Sequence, residues 1–127
     1  MVKNFITYQK KLPFSKAVIH NLKYTMEISG QIGINSETGI IVEGIEKQLI
    51  TTLDNINKIL KEVGWTFENI IKTRIYLINM SDYKIVNEIY KKYFDDNYPT
   101  RVVISVKQLP LDTLVEIECV AAGDKIK

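Results

Sequence analysis

The pattern of apolar residues predicts an α+β domain, a two-layer sandwich in which two helices cover one mixed β-sheet. Three observations carry this expectation. Two segments repeat apolar residues at spacings of three and four, the period of a helix with one buried face. Several other segments are short, β-branched and bounded by turn residues, as strands are. The elements read in the order β-β-β-α-β-α-β-β, and two amphipathic helices need a sheet to cover.

Along the chain, "NFITYQ" (4–9) reads as a short first strand, broken by Pro13 in "KLPFSK" (11–16). "AVIHNLKYTMEISGQIGIN" gives two strands around a turn at Asn21, the second ending near Ser29-Gly30, and "NSETG" (35–39) is turn chemistry. Ile45, Leu49, Leu53, Ile56, Leu60 and Val63 form the stripe of the first helix. Glu43 and Glu46 at its start and Lys58 and Lys61 near its end suit the helix dipole, and Gly64 suits the position after its last turn. "NIIKTRIYLI" (69–78) reads as an interior strand, apolar on both faces. Ser81 reads as the cap of a second helix, whose buried face is Ile85, Val86, Ile89, Tyr90, Tyr93 and Phe94, and "DDNYP" ends it. Two strands follow, over 101–106 and about 114–122.

A length of 127 residues suits one domain, 1–127, with a single core, and 46% hydrophobic with 25% charged residues matches a soluble globular chain. A net charge of +2, with basic residues only in short pairs such as Lys10-Lys11 and Lys91-Lys92, argues against a nucleic-acid partner. No apolar run approaches the length of a membrane span, the N-terminus lacks a signal-peptide pattern, and Cys119 is the one cysteine. The expected setting is the cytoplasm, a reducing compartment.

One histidine and one cysteine supply no metal cluster. A Cys119/His20 nucleophile pair is disfavoured, because Cys119 alternates within "VEIECVAA" as a buried apolar residue would, and His20 reads as a surface residue beside a turn. "GQIGIN" fits neither a phosphate loop nor a dinucleotide fingerprint. What remains is carboxylates, hydroxyls and arginine. There are two arginines, Arg74 and Arg101, against 15 lysines, so each arginine asks for a reason. Arg101 opens a strand, where its permanent charge is either solvated or used. Alternation places Glu116 and Glu118 opposite Val115, Ile117 and Cys119. Spacing alone favours a solvated sheet face; a glutamate lining a cleft with Arg101 is the sharper alternative.

Four stretches, "ISGQI" (28–32), "VNEIYKKYF" (86–94), "YPTRVVISVKQLP" (98–110) and "VEIECVA" (115–121), stand in the order and spacing of the Rid proteins. The chain resembles these RidA-like, YjgF-type imine and enamine deaminases from about Leu12 to Ala122. The resemblance implies a chorismate-mutase-like fold, assembled as a homotrimer with active sites between subunits. It also implies hydrolysis of small-molecule 2-imino acids, such as 2-aminoacrylate, to 2-oxo acids and ammonia, without a cofactor. By resemblance, Arg101 is the carboxylate clamp and Glu116 holds or activates the attacking water. Ser29, Gly30 and Asn87 line the pocket. Two positions depart from the better-known members: Phe14 stands where many have tyrosine, and Val103 where several have cysteine. The Phe14 departure leaves open a non-catalytic protein that binds 2-oxo acids. A third reading, RNA cleavage or translation inhibition, is attached to some relatives and fits the near-neutral charge poorly.

Overall fold

The computed structural model describes residues 1–6 and 12–127. The chain runs β1 (Val2–Ile6), β2 (Ser15–His20), β3 (Tyr24–Ile32), α1 (Ile45–Lys61), β4 (Ile70–Leu77), α2 (Tyr83–Tyr90), β5 (Thr100–Ser105) and β6 (Val115–Gly123). This is the expected element order. β1 and β2 form an antiparallel pair. The other strands form one four-stranded sheet in the order β3-β6-β4-β5. β4 runs parallel to β5 and antiparallel to β6, which makes the sheet mixed.

The stripe of α1 seats on this sheet as its spacing requires. Leu49, Leu53, Ile56 and Leu60 are buried against Ile75, Leu77, Val115 and Ile117, while Ile45 and Val63 pack at the margin. Each buried leucine of this kind contributes about 2–5 kcal/mol relative to alanine. The helix stops where the sequence expects. Gly64 takes φ +79° and its amide bonds Lys61 O, while the Trp65 amide reaches back to Leu60 O. Turn 35–39 also forms, with Asn35 Oδ1 accepting from the amides of Glu37 and Thr38.

Several expectations shift. β1 begins at Val2, and residues 7–9 of "NFITYQ" lie outside the described residues. β3 does not end at Ser29-Gly30 but continues to Ile32 through a register shift between Ile28 and Gln31, where Ser29 and Gly30 together oppose Glu118. β4 is interior, flanked by β5 and β6. It is not apolar on both faces: Ile75 and Leu77 enter the core, while Lys72, Arg74 and Tyr76 point the other way. Ser81 does not cap α2, since it sits inside a short 3₁₀ turn, Met80–Asp82, with no side-chain bond to the helix amides. α2 itself ends at Tyr90, and a further 3₁₀ turn over Lys91–Tyr93 carries the chain to buried Phe94.

Both helices lie on one face of the sheet. Among the described residues no helix covers the other face, which exposes Val102 at 47% and Ile104 at 43% beside Arg74, Glu116 and Glu118. Among the described residues no helix is long and apolar enough to cross a membrane.

Candidate active site

Arg101 is the second residue of β5, an edge strand, and pairs with Thr73 of β4. Thr73 is buried at 2%, so the Arg101 side chain shares the helix-covered face. There the guanidinium meets three rings. Its Cζ lies 5.1 Å from the ring centre of Tyr90, 5.4 Å from Phe14 and 5.7 Å from Tyr83. Ring faces attract a cation, which offsets part of the cost of removing it from water. The local sequence builds this cage. Tyr83, Asn87 and Tyr90 recur at the spacing of one helix face, and the Tyr90 hydroxyl is held 2.9 Å from Thr73 Oγ1. Phe14 is brought alongside because the Ser15 amide donates to Pro99 O at 3.0 Å, docking β2 against the entry to β5.

The cage leaves the arginine unsatisfied. Arg101 Nη2 donates to the Tyr83 hydroxyl at 3.3 Å, whereas Nη1 is buried without a partner. Among the described residues no carboxylate pairs with it; the ion pair present joins Arg74 to Glu118. Burial lowers the guanidinium from its ordinary value, with Tyr90 and Tyr83 acting in the opposite sense. The side-chain oxygen of Asn87, one turn along α2 from Tyr83, is likewise buried and unbonded. An unpaired buried donor and an unpaired buried acceptor are each costly, and a ligand offering an anion and an N–H would satisfy both.

Glu116 stands elsewhere. It pairs with Tyr76 in the β4–β6 ladder and faces the bare side of the sheet, between the core residues Val115 and Ile117. Gly30, at the β3 bulge, gives it room: a Cβ there would overlap Glu116 Oε2 and come within 2.7 Å of Cδ. Burial raises the Glu116 carboxyl above its ordinary value of 4.5, and the charge of Glu118 adds to the shift. Glu118 is in turn held by the Tyr76 hydroxyl and by Arg74 at 3.6 Å.

The expected site residues thus fall into two groups. Arg101, Phe14 and Asn87 gather on the helix side at the β5 edge; Glu116, Gly30 and Ser29 gather on the bare face along β3 and β6. Val103 shares the side of Arg101 but packs against the core, so an apolar side chain suits it. The sequence reading missed Tyr83 and did not connect Tyr90 to Arg101. The spacing 83-87-90 was the signal that joins them. Cys119 is buried, with its thiol pushed up to about 12 by burial, and His20 accepts the Leu22 amide at Nδ1, so neither is poised as a nucleophile.

Comparison with known proteins shows the family of the chain. The family model described as "Endoribonuclease L-PSP" matches residues 8–123. A "RutC family protein" of Aquifex aeolicus is 48% identical over 111 residues, covering 86% of this chain and 87% of that protein. The human "2-iminobutanoate/2-iminopropanoate deaminase" is 41% identical over 110 residues, 86% of this chain and 79% of that one. Among solved structures, the Rid family protein YyfA of Yersinia pestis superposes with TM-score 0.76 at 37% identity, covering 96% of this chain and 99% of that one. TdcF of E. coli with bound serine gives TM-score 0.74 at 30% identity, with coverage of 94% and 98%. In sequence and in fold, this chain belongs to the YjgF/Rid family.

Proposed function

We propose that the protein hydrolyses 2-imino acids, the imine and enamine products of pyridoxal-phosphate dehydratases such as 2-aminoacrylate, to 2-oxo acids and ammonia. The observation that carries this reading is the caged Arg101, whose buried Nη1 has no partner among the described residues. A substrate carboxylate satisfies the unpartnered donor of such a guanidinium with a charge-assisted hydrogen bond. Gripped there, the substrate has its imine carbon fixed next to the carboxylate, ready for attack.

In the proposed step the substrate reacts as its protonated iminium: Glu116 takes a proton from water as the oxygen adds to the iminium carbon, and the π electrons return to the nitrogen as an amine lone pair. Glu116 then returns its proton to the nitrogen, the carbon–nitrogen bond breaks to release ammonia, and the hydroxyl proton passes through Glu116 to the departing ammonia as the carbonyl forms. A carboxylate whose basicity is raised by burial and by Glu118 suits this exchange. Because Arg101 and Glu116 occupy opposite faces of one sheet, the reading includes assembly of copies, as a homotrimer, that carries Glu116 of one copy to Arg101 of the next. Exposed Val102 and Ile104 on that face support such an assembly. We place the activity in the cytoplasm.

The test generates 2-aminoacrylate with a serine dehydratase and follows release of pyruvate. Acceleration by the wild type and its loss in Arg101→Ala are expected. No acceleration, or full activity in Arg101→Ala, would sink the reading; binding of 2-oxo acids without turnover would replace it with a binding protein.

A further inference from the structure

Two of the three rings around the Arg101 guanidinium, those of Phe14 and Tyr83, differ in what they offer. Phe14 is a phenyl and makes no hydrogen bond. Tyr83, on the α2 side of the same cation, brings its hydroxyl within 3.3 Å of Nη2. A guanidinium only donates, so the Tyr83 oxygen is the acceptor and its proton is left to point away from Arg101. Among the described residues that proton has no acceptor. Tyr83 is half-buried, at the first position of α2, and neighbours both the unpartnered Nη1 and the helix face carrying Asn87.

We propose that Tyr83 is a substrate-binding residue of this site: its hydroxyl, oriented by Arg101 Nη2, donates to the carboxylate of the bound 2-imino or 2-oxo acid. This rests on the function proposed above. The guanidinium then grips one carboxylate oxygen through Nη1, and the phenol grips the other. Nη2 serves as a positioning group for the phenol. In this chain the phenol beside the guanidinium comes from α2, and position 14 is an apolar wall.

The experiment compares wild type, Tyr83→Phe, Phe14→Tyr, and the double variant Tyr83→Phe/Phe14→Tyr, reading KM and kcat for pyruvate release and Kd for pyruvate by calorimetry. Removing a hydrogen bond to a charged carboxylate is expected to raise KM and the pyruvate Kd about tenfold or more in Tyr83→Phe, with kcat nearly unchanged and the unfolding midpoint held. Phe14→Tyr restores most of that loss in the double variant. Wild-type KM and Kd in Tyr83→Phe, or a double variant no better than Tyr83→Phe, would overturn this inference alone, provided that Arg101→Ala is inactive. A wild type with neither turnover nor pyruvate binding would overturn both it and the function on which it rests.

Discussion

Arg101 and Glu116 stand on opposite faces of one four-stranded sheet. Arg101 is in register with Thr73, whose side chain enters the core, and Glu116 is in register with Tyr76, which faces away from the helices. No rotation of side chains brings the two together within one chain. On one side is a guanidinium caged by Phe14, Tyr83 and Tyr90, and on the other is a carboxylate seated in a glycine notch. The function proposed above needs both.

Arg101→Ala is expected to lower kcat/KM by about 10²–10³, the effect of losing charge-assisted hydrogen bonds to a carboxylate. Arg101→Lys is expected to recover little, because an ammonium lacks the planar fork and the packing of a guanidinium between rings. Pyruvate release from enzymatically generated 2-aminoacrylate measures both.

The pH profile follows from Glu116. Its pKa is raised, and it works as a carboxylate, so activity falls as pH drops through that raised value. Glu118→Gln removes the neighbouring negative charge, lowers the Glu116 pKa and moves the acid limb to lower pH. The Arg74–Glu118 pair is half-exposed and contributes little to stability, so the fold tolerates the change. An acid limb that stays in place in Glu118→Gln would show that Glu118 does not act on Glu116.

Gly30→Ala is expected to abolish most turnover while leaving the unfolding midpoint within a few degrees. The added Cβ meets the end of the Glu116 side chain, which is able to swing away, so the cost falls on the position of the carboxylate and not on the backbone. Parallel kcat and thermal-melt measurements separate the two effects.

Cys119 is expected to be silent. With its thiol pushed up to about 12 and its side chain in the core, it should not react with an aromatic disulfide reagent at pH 8 until the protein is unfolded. Rapid native-state labelling would contradict this.

The fold was largely legible because its signals are periodic. The α1 stripe and the alternation of "VEIECVAA" each describe a face, and faces are what the core selects. Local chemistry was less legible. Ser81 has the right side chain for a cap, but an intervening 3₁₀ turn moves the helix start past it. The bulge at Ser29-Gly30 is a tertiary accommodation to Glu116 and leaves no local pattern. "NIIKTRIYLI" looked apolar throughout because β-branched residues outnumber Lys72 and Arg74, yet the alternation that matters places those two with Tyr76 on the bare face. The scarcity of arginine pointed to Arg101, whereas its aromatic cage joins α2 to a Phe14 that is distant in the sequence and emerges only when β2, α2 and β5 pack.

The central claim is that Arg101 of one copy works with Glu116 of another. Mixing the two inactive variants Arg101→Ala and Glu116→Gln, dissociating and reassembling them together, tests it directly. Mixed oligomers should contain some junctions with both residues intact, and deaminase activity should return above that of either variant reassembled alone. Reassembled mixtures that stay as inactive as the separate variants, under conditions where mass spectrometry shows mixed oligomers, would contradict the account.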